Sequence, residues 1–160
     1  MSSQICNFFD AVKIVPIASY ASANSDRNSE VLDTLGAAAV RIIIHHATIA
    51  AGSVMNAYLT HADAASDETT LTSGADVLGS SQAVADDDDN TVHYIDFIPT
   101  KRFYQLVFNK DATNVAAESA IALLYMKNRP VTHAGGTSGI GDGTGAVVGE
   151  FLGSVSTGDE

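Results

Sequence analysis

An all-β fold, an antiparallel sandwich of jelly-roll type, is predicted by three features. Short apolar runs alternate with period two, turn residues separate them, and no stretch has convincing helical amphipathicity. A parallel sheet would need crossover helices, and the pattern supplies none. At 160 residues the chain fits one domain with one core. Much of its 46% hydrophobic content is alanine, so the core must come from the clustered Ile, Val, Leu, Tyr and Phe.

Residues 12–19 open the pattern as a strand, with β-branched Val12, Ile14, Val15 and Ile17 ahead of a small, polar loop over 20–28. A short half-buried strand over 30–35 ends at Gly36. The strongest run is 38–49, where Val40, Ile42 and Ile44 point one way and Arg41, Ile43 and His45 the other, as in a central strand. Residues 52–62 alternate again, with Met55, Ala57 and Leu59 on one face, and Ala50-Ala51-Gly52 predicts a hairpin that pairs this strand with the one before it. Residues 63–90 are polar and read as a long excursion with one or two minor strands.

Strands return at 91–98 and 102–109, joined by the turn Pro99-Thr100-Lys101. The segment 115–127 is rich in alanine and favours helix by propensity. The alternation of Ile121, Leu123 and Tyr125 with Ala122, Leu124 and Met126 nevertheless predicts a strand, with 102–109 as its partner across 110–114. After Pro130 the chain is rich in Gly, Ser and Thr. The expected organisation is a flexible N-terminal arm over 1–10, a sandwich domain over 11–133 and a Gly-rich C-terminal arm over 134–160.

Eight basic residues against 19 acidic ones give a net charge of −11, and the basic residues are scattered, so nucleic acid is not an expected partner. Lone Cys6 forms no intramolecular disulfide and no zinc spacing. The apolar stretch 12–23 ends in Ala21-Ser22-Ala23, but Asp10 ahead of Lys13 and the interruption at Pro16 argue against a signal peptide. Arg41, His45, His46 and Asn56 interrupt the longest apolar region, so no membrane partner is expected.

No motif carries chemistry. His45 and His46 are adjacent, leave a strand on opposite faces and cannot chelate one metal together. His61, His93 and His133 form no ligand spacing with them. The contiguous Asp86-Asp87-Asp88-Asp89 run lacks the alternating ligands and turn glycine of a calcium loop and reads as a solvated, self-repelling segment. The glycine cluster from Gly135 to Gly143 lacks the Lys-Ser/Thr ending of a phosphate loop, and no serine sits in a nucleophile elbow. The expectation is a chain that is not an enzyme, with no catalytic, cofactor-binding or metal-binding residues and no cofactor.

The succession VKIVPIASYASA, EVLDTLG, AAVRIIIHHATI, VMNAYLTHAD, an acidic loop, YIDFIPTKRFYQLVFNKD and ALLYMKNRPV resembles small virion proteins of tailed bacteriophages. Lys101-Arg102-Phe103-Tyr104 and Arg129-Pro130 carry the likeness, which spans about three quarters of the chain. The resemblance implies a capsid decoration (cement) protein: β-rich, homotrimeric, bound to the major capsid protein on the capsid exterior of the virion. Its long Gly-rich extension departs from the compact family pattern, which leaves a tail or host-receptor-binding structural protein with a jelly-roll fold as the alternative. Residues 1–10 and 135–158 are expected to order only in the assembly. An enzyme or small-molecule binder on a cupin-like scaffold would need clustered histidine ligands, which the sequence lacks.

Overall fold

The computed structural model describes residues 11–52, 54–110 and 116–127. Beyond Ala11 these residues form strands, turns and one 3-10 turn, with no α-helix. In chain order the strands are β1 (Val12–Ala23), β2 (Arg27–Asn28), β3 (Leu32–Asp33), β4 (Ala37–Ile49), β5 (Met55–Ala62) and β6 (Ala64–Asp67). They continue with β7 (Thr70–Thr72), β8 (Ala75–Asp76), β9 (Gln82–Val84), β10 (Thr91–Phe97), β11 (Phe103–Lys110) and β12 (Ala116–Met126).

Two antiparallel sheets pack face to face. The first has the order β1-β12-β4-β10; the second is built on β2-β11-β5-β8, with β3 also on β11 and β9 also on β5. Strands β6 and β7 form a separate hairpin. The apolar parity of each long strand faces inward, as antiparallel sandwiches require. Val40, Ile42 and Ile44 of β4, Ile17 of β1, Ala120, Ala122 and Leu124 of β12 and Ile95 of β10 line the first sheet's inner face. Met55, Ala57 and Leu59 of β5 and Tyr104, Leu106 and Phe108 of β11 answer from the second. Each large side chain buried this fully contributes about 1.5–3 kcal/mol of transfer free energy.

The predicted all-β antiparallel sandwich is what forms, and β4 is a central strand, between β12 and β10. Several local expectations need correction. β1 continues through the expected loop to Ala23, because Ala21, Ser22 and Ala23 pair with Glu118, Ala117 and Ala116 of β12 after register shifts beyond Pro16 and Ala18. The strand expected over 30–35 shrinks to Leu32–Asp33. Its end is tied by Thr34 Oγ1, which donates to Arg102 O at 2.9 Å. The polar excursion holds four short strands, β6 to β9, rather than one or two.

Two predicted pairings are wrong although the strands are right. β5 does not pair with β4: both edges of β4 are occupied by β12 and β10, so the turn at Ala51-Gly52 carries the chain into the other sheet, where β5 meets β11. β12 does not pair with β11; it lies between β1 and β4, and its alanines fill the first sheet's inner face. The turn at Pro99-Thr100-Lys101 likewise crosses between sheets, from β10 to β11. Tyr104 anchors it, its phenol oxygen accepting from Thr100 N at 2.8 Å and Lys101 N at 3.2 Å. The expectations for the two arms, and the partnering turn over 111–114, lie outside the described residues.

Candidate functional site

Adjacent His45 and His46 leave β4 on opposite faces, as alternation requires: His45 is exposed and His46 fully buried. The register that pairs His46 with Thr91 puts His93 diagonally beside it, and their rings meet edge to face at 4.8 Å. His93 Nε2 lies 3.8 Å from Asp88 Oδ1. His46 makes no hydrogen bond with either ring nitrogen. Burial, then the neighbouring His93, pushes its pKa down to about 4, which keeps the ring neutral at ordinary pH. His61 is elsewhere, edge-on to Tyr104 at 5.6 Å. Among the described residues no three His, Cys, Asp or Glu side chains are grouped to hold a metal ion. Cys6, His133 and the glycine cluster after Gly135 lie outside the described residues.

The acidic run is partly structural rather than wholly solvated. Asp86–Asp88 forms a single 3-10 turn in which Ala85 N donates to Asp88 Oδ2 at 2.9 Å. The next carboxylate, Asp89, accepts a hydrogen bond from Ile49 N at the end of β4. These bonds satisfy backbone donors and pin the loop to the first sheet.

A second charged group was invisible in the sequence because its members are remote. Glu118 of β12, Lys110 of β11 and Arg27 of β2 meet where the two sheets close at one end. Lys110 Nζ donates to Ala23 O at 3.1 Å and Ala116 O at 3.0 Å, and Arg27 Nη2 donates to Ser19 O at 2.7 Å. These bonds tie the second sheet to strands of the first, and the group acts as a clasp.

The outward faces of the two sheets differ. On the second, register aligns Asn56 with Asn109, half-buried Tyr58 with Val107 and Thr60 with Gln105, and the β6–β7 hairpin touches this face where Gln105 Nε2 donates to Thr69 O at 2.7 Å. On the first, one cross-strand row runs Pro16–Ile121–Ile43–Tyr94 and the next Ile14–Leu123–Arg41–Asp96. Tyr94 and Val92 are 59% and 57% exposed, Tyr125 is 36% exposed, and Ile14, Ile43, Ile121 and Leu123 are half-buried. An aromatic and aliphatic surface of this extent is unusual on a solvated sheet face.

The two charges on those rows cancel. Arg41 Nε and Nη2 donate to Asp96 Oδ1 and Oδ2, both at 2.7 Å, and the guanidinium lies 4.9 Å from the Tyr94 ring centroid. The hydrogen bonds from Arg41 hold the Asp96 carboxyl below its usual range. Beside the pair an open groove of about 550 Å³ runs between Arg41, Asp96, Ile98 and Tyr125. Among the described residues this face is a candidate docking surface.

No helix among the described residues is long and apolar enough to cross a membrane. No protein-family model matches the chain, and no curated protein matches it.

Proposed function

We propose that the chain is a structural virion protein that binds the outer surface of a phage head, contacts the major capsid protein and stabilises the capsid lattice. The observation that carries this reading is a rigid sandwich that offers one apolar, charge-balanced sheet face, in a chain of net charge −11. Such a face suits assembly with protein, copies of the chain included, while the acidic remainder disfavours contact with packaged nucleic acid. The sequence likeness to small phage virion proteins supplies the setting.

The winding supports the jelly-roll form of the sandwich. β1, β4, β10 and β12 go to one sheet and the strands between them in sequence, apart from the β6–β7 hairpin, go to the other, so the chain repeatedly changes sheets. A cement protein acts by mass action: it binds the expanded shell in preference to other states, and each bound copy adds its binding free energy to the shell's stability.

The test mixes the purified chain with expanded heads that lack it, then measures co-sedimentation and the temperature of shell disruption. Saturable binding with a raised disruption temperature is expected. Absence of binding to heads overturns the reading in favour of a tail or host-binding role, which binding to assembled tails and host cells then measures.

A further inference from the structure

We infer that the outward face of the β1-β12-β4-β10 sheet is the surface on which a second copy of this chain docks. The inference deepens the self-association expected of a homotrimer in the proposed function and needs no capsid contact.

Charge selects the occupant. With a net charge of −11, two copies repel one another over most orientations. The rows Pro16–Ile121–Ile43–Tyr94 and Ile14–Leu123–Arg41–Asp96 hold one acid and one base, locked together as a bidentate pair. Like-charged copies therefore meet least repulsion when they approach through this face. A strongly basic partner would be drawn instead to acidic segments such as Asp86 to Asp89.

Size and chemistry agree with the same occupant. Four strands spaced about 4.8 Å apart, with roughly seven residues of about 3.3 Å each, project roughly 450 Å². Side-chain relief raises the accessible area toward the ~800 Å² per partner of a standard stable interface. Tyr94 and Tyr125 are aromatic anchors of the kind that dominate such interfaces, and the groove beside Arg41 and Ile98 is open to receive a side chain. The second sheet's outward face sets the half-buried Tyr58–Val107 pair among polar Asn56, Thr60, Gln105 and Asn109, and the β6–β7 hairpin meets it at Gln105. Burial of this face is compatible with a two-fold pair, sheet on sheet, or with a closed three-fold ring in which an edge of one copy meets the face of the next.

The experiment is sedimentation equilibrium of the purified full chain, with no heads present, for wild type, Tyr94→Asp, Val92→Lys and, as a control on the other sheet, Asn56→Asp. Circular dichroism and melting temperature establish that each variant folds. A wild-type dimer or trimer is expected, with the dissociation constant raised at least tenfold by Tyr94→Asp and by Val92→Lys and unchanged by Asn56→Asp. A wild type that stays monomeric at every concentration overturns the inference, whether another protein or the chain's own terminal residues cover the face. So does an oligomer that folded Tyr94→Asp and Val92→Lys variants leave intact. Because heads are absent, failure here is separate from failure of capsid binding, which co-sedimentation reads alone.

Discussion

Lys110 and Glu118 form a buried ion pair across the two sheets, Nζ lying 2.8 Å from Oε2 with side chains 1% and 0% exposed. Glu118 Oε2 receives no directed hydrogen bond, so it is the proximity of the charges that holds this oxygen, while Oε1 accepts from Arg27 Nη1 at 3.3 Å. Removing one member of such a pair strands the other charge in a medium that solvates it poorly. Lys110→Met is expected to destabilise the fold by about 3–5 kcal/mol. The double variant Lys110→Met/Glu118→Leu is expected to recover a large part of that loss. Urea denaturation of both measures it, and a double variant weaker than the single one refutes the buried-charge account.

His46 makes stability depend on pH. Its folded pKa of about 4 lies below the ordinary 6.5, so the unfolded chain binds the proton more readily than the folded one. The contribution is therefore fully present above about 6.5, declines as pH falls and levels off below about 4. His93, His45 and Asp88 act on its titration, and Glu118 stands opposite it in register on β12. The urea midpoint is expected to fall between these limits, and His46→Phe is expected to flatten that part of the profile. An unchanged slope in a folded His46→Phe protein assigns the dependence to other groups.

Tyr104→Phe removes the acceptor for Thr100 N and Lys101 N at the crossing from β10 to β11. The ring still packs against Phe97, with centroids 4.5 Å apart. Thr100 is exposed and Lys101 half-buried, so the expected cost is about 0.5–1.5 kcal/mol, the net worth of an ordinary hydrogen bond. Amide exchange is expected to quicken at Thr100 and Lys101 rather than throughout β11.

Asp89 holds the acidic turn to the end of β4, so Asp89→Ala is expected to lower stability by about 1–3 kcal/mol through loss of a charge-assisted bond to Ile49 N. Asp87→Ala, with no hydrogen bond to β4, serves as the comparison and is expected to change stability by less than about 0.5 kcal/mol. Millimolar calcium is expected to leave both melting temperatures unmoved, and a calcium-dependent rise confined to proteins retaining the run would establish a cation site there.

The strands were legible where side chains alternate without interruption. Val40, Ile42 and Ile44 against Arg41, Ile43 and His45 marked β4 within a residue of its limits, and Ile121, Leu123 and Tyr125 against Ala122 and Leu124 identified β12 despite its helix-favouring alanines. Opposite exposure of His45 and His46 followed from the same period. The contacts that make the clasp were not legible: Arg27 and Glu118 are 91 residues apart, and neither stands in a motif.

Sequence alone determined the all-β class, the positions of the long strands and which side chains of each turn inward, because a period of two is a property of one strand by itself. Only the tertiary structure decided that β5 and β11 share one sheet while β4 and β12 share the other. Alternation distinguishes the faces of a strand but carries no label for its neighbour, so pairing is settled by which edges are already occupied and which inner faces close the core. The same decision aligned Pro16, Ile121, Ile43 and Tyr94 across four strands, turning side chains that look like ordinary strand residues into one continuous outward surface.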